Sequence, residues 1–238
     1  MSRDLTSEQL WYFRHNGFFK LPYQLPESDV AKLKETIHQD IAAEKEPVSR
    51  DAAGTVQRLS DILGRDPIFW ETATCPPLLD ALKTLLGPNI AVIRNRHNHV
   101  MLHSATVNSA YMHRDAFSWT RSSVTAMIFL EETNLENGCT EILPGTHLLP
   151  WLELPLEENE KFLQMGLQEQ VVRLPMSVGG IMLLDSCVCH SQGINHTDGT
   201  RMSITLGYHS LDELAGIEDS KSMLVCGNRV YKGNDRKR

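Results

Sequence analysis

After residue 88 the chain is written in short runs of Val, Ile, Thr, Leu and Met, each cut off by a turn dipeptide. Asn137-Gly138, Pro144-Gly145, Gly179-Gly180 and Asp198-Gly199 supply the residues that tight turns favour. Between them the pattern predicts strands near 90–102, 109–115, 123–132, 139–143, 170–174, 180–185, 187–191 and 201–209. Helices of ordinary length have no room between such breaks. The expected architecture is therefore mainly β, a sandwich or jelly roll, with any helices packed outside it.

The first third reads differently. Thr6-Ser7-Glu8 offers a helix cap ahead of Leu10, Tyr12 and Phe13, and Asn16-Gly17 is a stop signal. Phe18 to Leu21 is a short apolar strand candidate. Pro26-Glu27-Ser28-Asp29 opens a second helix, in which Val30, Leu33, Ile37 and Ile41 recur at helical spacing. Residues 44–58 carry Glu, Pro, Ser, Asp and Gly without periodicity and are expected to form a long loop near a site. A third helix is expected from about Pro77 to Leu86, ended by Gly87-Pro88. The apolar faces of these helices need a partner, and the β region is the one available. The simplest organisation is one domain over 1–238: a helical layer to about 88, a β core over about 89–210, and a tail over 211–238.

Composition narrows the partners. With 23 Lys+Arg against 30 Asp+Glu, the net charge of −7 argues against a general nucleic-acid binder, which needs a basic surface. No stretch approaches the ~18 apolar residues of a membrane span. Met1-Ser2-Arg3-Asp4-Leu5 has no apolar run behind it and does not read as a signal peptide. Cys75, Cys139, Cys187, Cys189 and Cys226 are odd in number and irregular in spacing, which argues against a disulfide framework and for a reducing cytoplasm. They are expected to be small buried packing residues.

Three features of the β half carry chemistry. His113 and Asp115 stand two apart, so on a strand both side chains point to one face. His190 lies in a later apolar strand, at a separation that several strands can fold back on themselves. Together His113, Asp115 and His190 make a two-His, one-carboxylate set, which suits Fe(II) that activates O2 because it leaves positions open. Arg201 is the third feature. Asn195, Asp198 and Gly199 signal a hairpin between it and His190, so antiparallel pairing is expected to bring Arg201 level with His190. A guanidinium there can hold a carboxylate bidentately, as a 2-oxoglutarate cosubstrate requires.

With these residues in place, the sequence resembles the phytanoyl-CoA dioxygenase superfamily of Fe(II)/2-oxoglutarate-dependent oxygenases. The likeness runs through Leu5 to Gly17-Phe18, His113-Arg114-Asp115 with Trp119 shortly after, Asn137-Gly138-Cys139-Thr140 to Pro144-Gly145-Thr146-His147, and His190-Ser191-Gln192-Gly193-Ile194-Asn195 with Arg201. It departs from the common pattern at Gln192, where a Ser is frequent. The resemblance implies a double-stranded β-helix, a cupin-like jelly roll with helices outside. It implies iron on His113, Asp115 and His190, the distal carboxylate of 2-oxoglutarate on Arg201, and a hydroxyl contact from Thr140. Fe(II), 2-oxoglutarate and O2 would then serve a small-molecule substrate. The oxidation would be a hydroxylation, a desaturation or a cyclisation. The modest length suits a small metabolite, in specialised metabolism.

Other residues have two readings. Arg94, Arg96 and Asn98 alternate on a predicted strand, as a solvated face or at the barrel mouth toward an anionic substrate or the cosubstrate, with Asn98 facing the site. Trp119 lines a substrate pocket or is a core aromatic. His147 follows a turn and is expected to pack there. Cys187 and Cys189 are expected to pack, since thiolates beside an O2-activating iron invite oxidation. His97, His99 and His103 form a competing HxH-type set, but they lack a nearby Glu, and His97 and His99 would face away from Asn98. Two other functions share the scaffold. A cupin-like metal-dependent isomerase or hydrolase would use the shell without 2-oxoglutarate. A non-catalytic small-molecule binder would be expected to have lost a ligand or the arginine.

Overall fold

Two antiparallel sheets face each other, and the helices cover the outer side of the larger one. The computed structural model describes residues 4–94, 97–103, 112–116, 123–149, 164, 166–211 and 222–227. Helix α1 (Ser7–Asn16) begins in a capping box, with Gln9 N donating to Thr6 Oγ1 and Thr6 N donating to Gln9 Oε1. It stops at Gly17, whose φ of +79° only glycine adopts cheaply. Helix α2 (Glu27–Ala42) buries Val30, Leu33 and Ile37 on one stripe. Helix α3 (Pro67–Ala73) and helix α4 (Pro76–Leu86) complete the layer.

The strands are β1 (Phe18–Gln24), β2 (Val48–Arg50), β3 (Val56–Ser60), β4 (Ile90–Ile93), β5 (Asn98–His103), β6 (Ser123–Phe129), β7 (Thr140–Leu143), β8 (Val172–Leu174), β9 (Gly180–Asp185), β10 (Cys189–Gln192), β11 (Arg201–Ser210) and β12 (Ser222–Cys226). Nine of them form the large sheet, in the order β1-β9-β6-β11-β5-β3-β2, with β4 on β11 and β12 on β4. The small sheet runs β10-β7-β8.

The period of two along each strand sorts chemistry between the faces of the large sheet. Val124, Ala126 and Ile128 of β6, Ile204, Leu206 and Tyr208 of β11, and Ile181 and Leu183 of β9 share one core with Leu33, Ile37, Leu82 and Leu85 from the helices. Each buried Val, Leu or Ile among them contributes about 1.5–3 kcal/mol of burial, so this face anchors the domain. The other face meets the small sheet. At one end of that gap Met127, Phe129, Met182, Leu184, Ile142 and Val188 form a second apolar cluster. At the other end the inward residues are polar: Ser60, His99 and Thr205 lie level across β3, β5 and β11.

Several expectations change. Residues 44–58 do not form a simple loop. Val48–Arg50 and Val56–Ser60 make a hairpin, and β3 extends the large sheet by pairing with β5. Its anchor is distant in sequence. Arg65 donates to Asp40 Oδ2 at 3.0 Å and to the carbonyls of Ser60, Lys45 and Pro47, tying the hairpin to α2. Residues 90–102 are two strands, broken where His97 takes a φ of +50°. Part of the expected tail is strand β12. Helix α3 lay unpredicted behind Asp66-Pro67, although Asp66 caps it by accepting from Ile68 N. The strand expected over 109–115 falls partly outside the described residues; within them, His113 bridges His190.

The expected pairing of the His190 and Arg201 strands does not occur. Strand β10 pairs with β7 in the small sheet, whereas β11 lies between β5 and β6 in the large one, with Arg201 opposite His103. The connection crosses from one sheet to the other instead of closing a hairpin.

Candidate functional site

His113, Asp115 and His190 meet at the polar end of the gap between the sheets. His113 and His190 exchange backbone hydrogen bonds of 2.9 Å in both directions, which sets their rings side by side with centroids 4.4 Å apart. Ala116 N donates to Ser186 O at 2.8 Å and pins the turn that follows. The Asp115 Oδ1 atom lies 3.8 Å from Nε2 of His113 and 3.8 Å from Nε2 of His190. One potential ligand atom from each of the three residues lies within 4.8 Å of the other two. Asp115 and His190 are buried and His113 is exposed, so the cluster opens on one side.

The neighbours orient these donors for an ion. Thr125 Oγ1 donates to Asp115 Oδ2 at 2.6 Å, which leaves Oδ1 aimed at the two imidazoles. Nδ1 of His190 lies 3.0 Å from Val188 O; a proton there leaves the Nε2 lone pair toward the cluster. Burial pushes the Asp115 carboxyl up most strongly. The charges of His190 and His97, the Thr125 hydrogen bond and the charge of His113 together outweigh it, so the net shift is downward. A buried carboxylate kept ionised among imidazoles is a donor set that fits a divalent metal.

The histidine set ranked second in the sequence is partly drawn into the same place. Because the chain breaks at His97, period two fails there, and His97, Asn98 and His99 all line the cavity over the cluster. His97 Nε2 stands 3.4 Å from Asp115 Oδ1. His99 is pushed down to about 4, by burial first and then by the Arg58 charge and His97, against a smaller opposing effect of Asp115. Asn98 is buried, and its amide is spent on the neighbouring loop: it donates to Asp61 Oδ1 and Arg94 O and accepts from Leu63 N. It lines the cavity at the same time, and its contact with the cosubstrate stays a proposal. Arg94 lines the cavity; Arg96 and Trp119 lie outside the described residues.

The cavity measures about 760 Å³. Its neighbour is a small cleft that shares Met127, Thr140 and Gln192 with it and adds Arg201. Thr140 and Gln192 stand opposite each other across β7 and β10. Arg201 is 6% exposed, its Nε has no hydrogen-bond partner, and no carboxylate among the described residues pairs with it. Burial pulls its guanidinium down to about 10, opposed by Cys139, and it stays a cation at neutral pH. A buried cation without a counter-ion is costly, and an entering carboxylate relieves that cost.

The turn segments frame this geometry. Asn137 accepts from Asn134 N and donates to Glu132 O, shaping the entry to β7. Gly138 has φ +77°, and a Cβ there would lie 2.2 Å from Gly193 O, so the chain entering β7 and the chain leaving β10 pack backbone to backbone at one end of their ladder. Thr146 Oγ1 accepts from Cys189 N, and His147 Nε2 lies 3.0 Å from Arg14 O, holding α1 in place. His147 is therefore a packing residue. Cys187 and Cys189 are buried, and Arg114 Nε donates to Cys189 Sγ. Thr125 and Arg58 escaped the sequence reading, because no local signal marks their direction, and His97 figured there only as part of the competing set.

Comparison with known proteins agrees with this geometry. The family model described as Phytanoyl-CoA dioxygenase (PhyH) matches residues 13–203. Human peroxisomal phytanoyl-CoA dioxygenase is 25% identical over 240 residues, covering 87% of this chain and 69% of that protein. Among solved structures, the non-heme alpha-ketoglutarate-dependent epimerase SnoN from nogalamycin biosynthesis superposes with a TM-score of 0.73 at 22% identity, covering 94% of this chain and 96% of that one. EctD from S. alaskensis, solved with 2-oxoglutarate and 5-hydroxyectoine, gives a TM-score of 0.74 at 16% identity, covering 88% and 77%. These structural likenesses are likenesses of fold, the double-stranded β-helix expected from the resemblance. Among the described residues no helix is long and apolar enough to cross a membrane.

Proposed function

Because the chain belongs to the phytanoyl-CoA dioxygenase family, we propose that it is an Fe(II)- and 2-oxoglutarate-dependent oxygenase acting on a C–H bond of a small-molecule metabolite. His113, Asp115 and His190 hold the iron. Arg201 holds the distal carboxylate of 2-oxoglutarate, and Thr140, with Gln192 beside it, lines the passage between the two ends. The observation that carries this reading is the buried, unpaired Arg201 in a cleft that shares Met127, Thr140 and Gln192 with the lining of the His/Asp/His cavity. A five-carbon diacid satisfies both ends at once. A metal-dependent isomerase or hydrolase has no use for the second.

When bound, iron with 2-oxoglutarate and O2 supplies the oxidation, with succinate and CO2 as co-products. The chain's own residues position and shield. Thr125 keeps Asp115 from rotating, and Val188 O fixes the His190 tautomer. The apolar cluster of Phe129, Met182 and Ile142 closes the far end of the gap to water. Arg94 lines the cavity and is assigned to the substrate. One catalytic domain spanning the chain is the organisation we adopt. The five free cysteines support the cytoplasmic placement, and specialised metabolism remains the setting we propose.

Anaerobic Fe(II) titration with and without 2-oxoglutarate tests this. A weak visible charge-transfer band is expected only with both, and its loss is expected in His190→Ala and Arg201→Ala. A folded protein that binds iron but forms no band, and releases no succinate, would move the function to the isomerase or hydrolase class.

A further inference from the structure

The wall of the cavity opposite the small sheet is built from polar and cationic groups. Arg58 on β3 lies level with Met101 on β5 and Ser203 on β11, and Ser60, His99 and Thr205 form the next row. All but Ser203 line the cavity, and Arg94 stands over it from the break after β4. Both arginines are exposed, and Arg58 Nε donates to Ser60 Oγ at 3.1 Å. No carboxylate among the described residues pairs with Arg58 or Arg94. Of the two cavity carboxylates, Asp115 belongs to the metal cluster, and Asp61 Oδ1 takes the Asn98 amide. Among the described lining residues only Met101 and Met127 are apolar.

Resting on the oxygenase reading above, we infer that the substrate is a polar molecule with an anionic group, a carboxylate or a phosphate, held by Arg58 and Arg94, with its hydroxyl or amine groups on Ser60, His99 and Thr205. The β2–β3 hairpin is then a specificity element. It adds a cationic strand to the sheet edge, and Arg65 anchors it to α2. Two guanidiniums that can each form charge-assisted, forked contacts favour such an anion over a neutral analogue by about 10- to 100-fold.

The test uses the anaerobic protein loaded with Fe(II) and 2-oxoglutarate, titrated by calorimetry with four probes: glucose 6-phosphate, gluconate, glucose and decanoate. The expected result is that at least one sugar anion binds 10-fold or more tighter than glucose and tighter than decanoate. Arg58→Gln and Arg94→Gln should each lose that margin, while Arg58→Lys keeps part of it. The preferred sugar anion identifies phosphate or carboxylate as the recognised group. The inference is overturned if neither anion outbinds glucose, if decanoate binds best, or if both Gln variants bind the anions as wild type does. It is also overturned if Arg58→Gln weakens 2-oxoglutarate alone, which would assign Arg58 to the cosubstrate. The charge-transfer band of the wild type reports separately on the oxygenase reading.

Discussion

His97 Nε2 lies 3.4 Å from Asp115 Oδ1, closer than either imidazole of the candidate metal set, which stand at 3.8 Å. The contact exists because the backbone turns to positive φ at His97 and presses its ring over the cluster. In the metal-free protein His97 is therefore one of the groups that keep Asp115 ionised.

That relationship sets a pH dependence. The folded Asp115 carboxyl titrates below its ordinary value of 3.8, so its contribution to stability is present above that value. It is lost as pH falls through the lower folded value. Asp115→Asn in metal-free protein should reduce the slope of Tm against pH below about 4, and His97→Ala should reduce it part of the way. Thermal melts in chelator across pH 2.5–6 measure both. Parallel curves for all three proteins would contradict the assignment.

Thr125→Val should keep the fold, since the side chains are close in size, but it frees Asp115 Oδ2 from its 2.6 Å hydrogen bond. Metal affinity should fall about 10- to 100-fold, as for other partners that orient a ligand. Competition against a metal indicator gives the number. Thr125→Ser should recover most of the loss.

Arg201→Gln should raise the 2-oxoglutarate requirement by about 10- to 100-fold while leaving metal affinity alone. Arg201→Met should bind no cosubstrate, yet melt no lower than wild type without cosubstrate, because an unpaired buried cation has been removed. In the wild type, 2-oxoglutarate binding should hold through neutral pH, because burial lowers the guanidinium only to about 10 and it remains a cation there. Ligand-induced Tm shifts follow all three.

Gly138→Ala should be destabilising by about 2 kcal/mol or more, because the residue sits at φ +77° and its Cβ would meet Gly193 O at 2.2 Å. The strain falls on the β7/β10 ladder that positions Thr140, Gln192 and His190. Denaturant unfolding checks the stability. A simultaneous rise in the 2-oxoglutarate requirement checks the position. Gly54→Ala, with no atom within 4 Å of the added Cβ, is the control, sharing the positive φ without the clash.

The sequence by itself determined the candidate metal residues, the class of fold and most of the helical layer. Ligand chemistry resides in residue type, and i, i+2 spacing on a strand places His113 and Asp115 on one face before any partner is known. Capping residues and helical periodicity act over three or four positions, which is why α1 is readable from its capping box and α2 and α4 from their apolar spacing and flanking turn residues. Which strands pair was settled elsewhere. The His190 and Arg201 strands went to opposite sheets, the 44–58 segment became an edge hairpin through an arginine on a later loop, and His97 reached Asp115 through a left-handed residue. Each of these depends on contacts between residues far apart in the chain, where propensity is silent. The tertiary structure decided them because only the closed pair of sheets gives those contacts an energy.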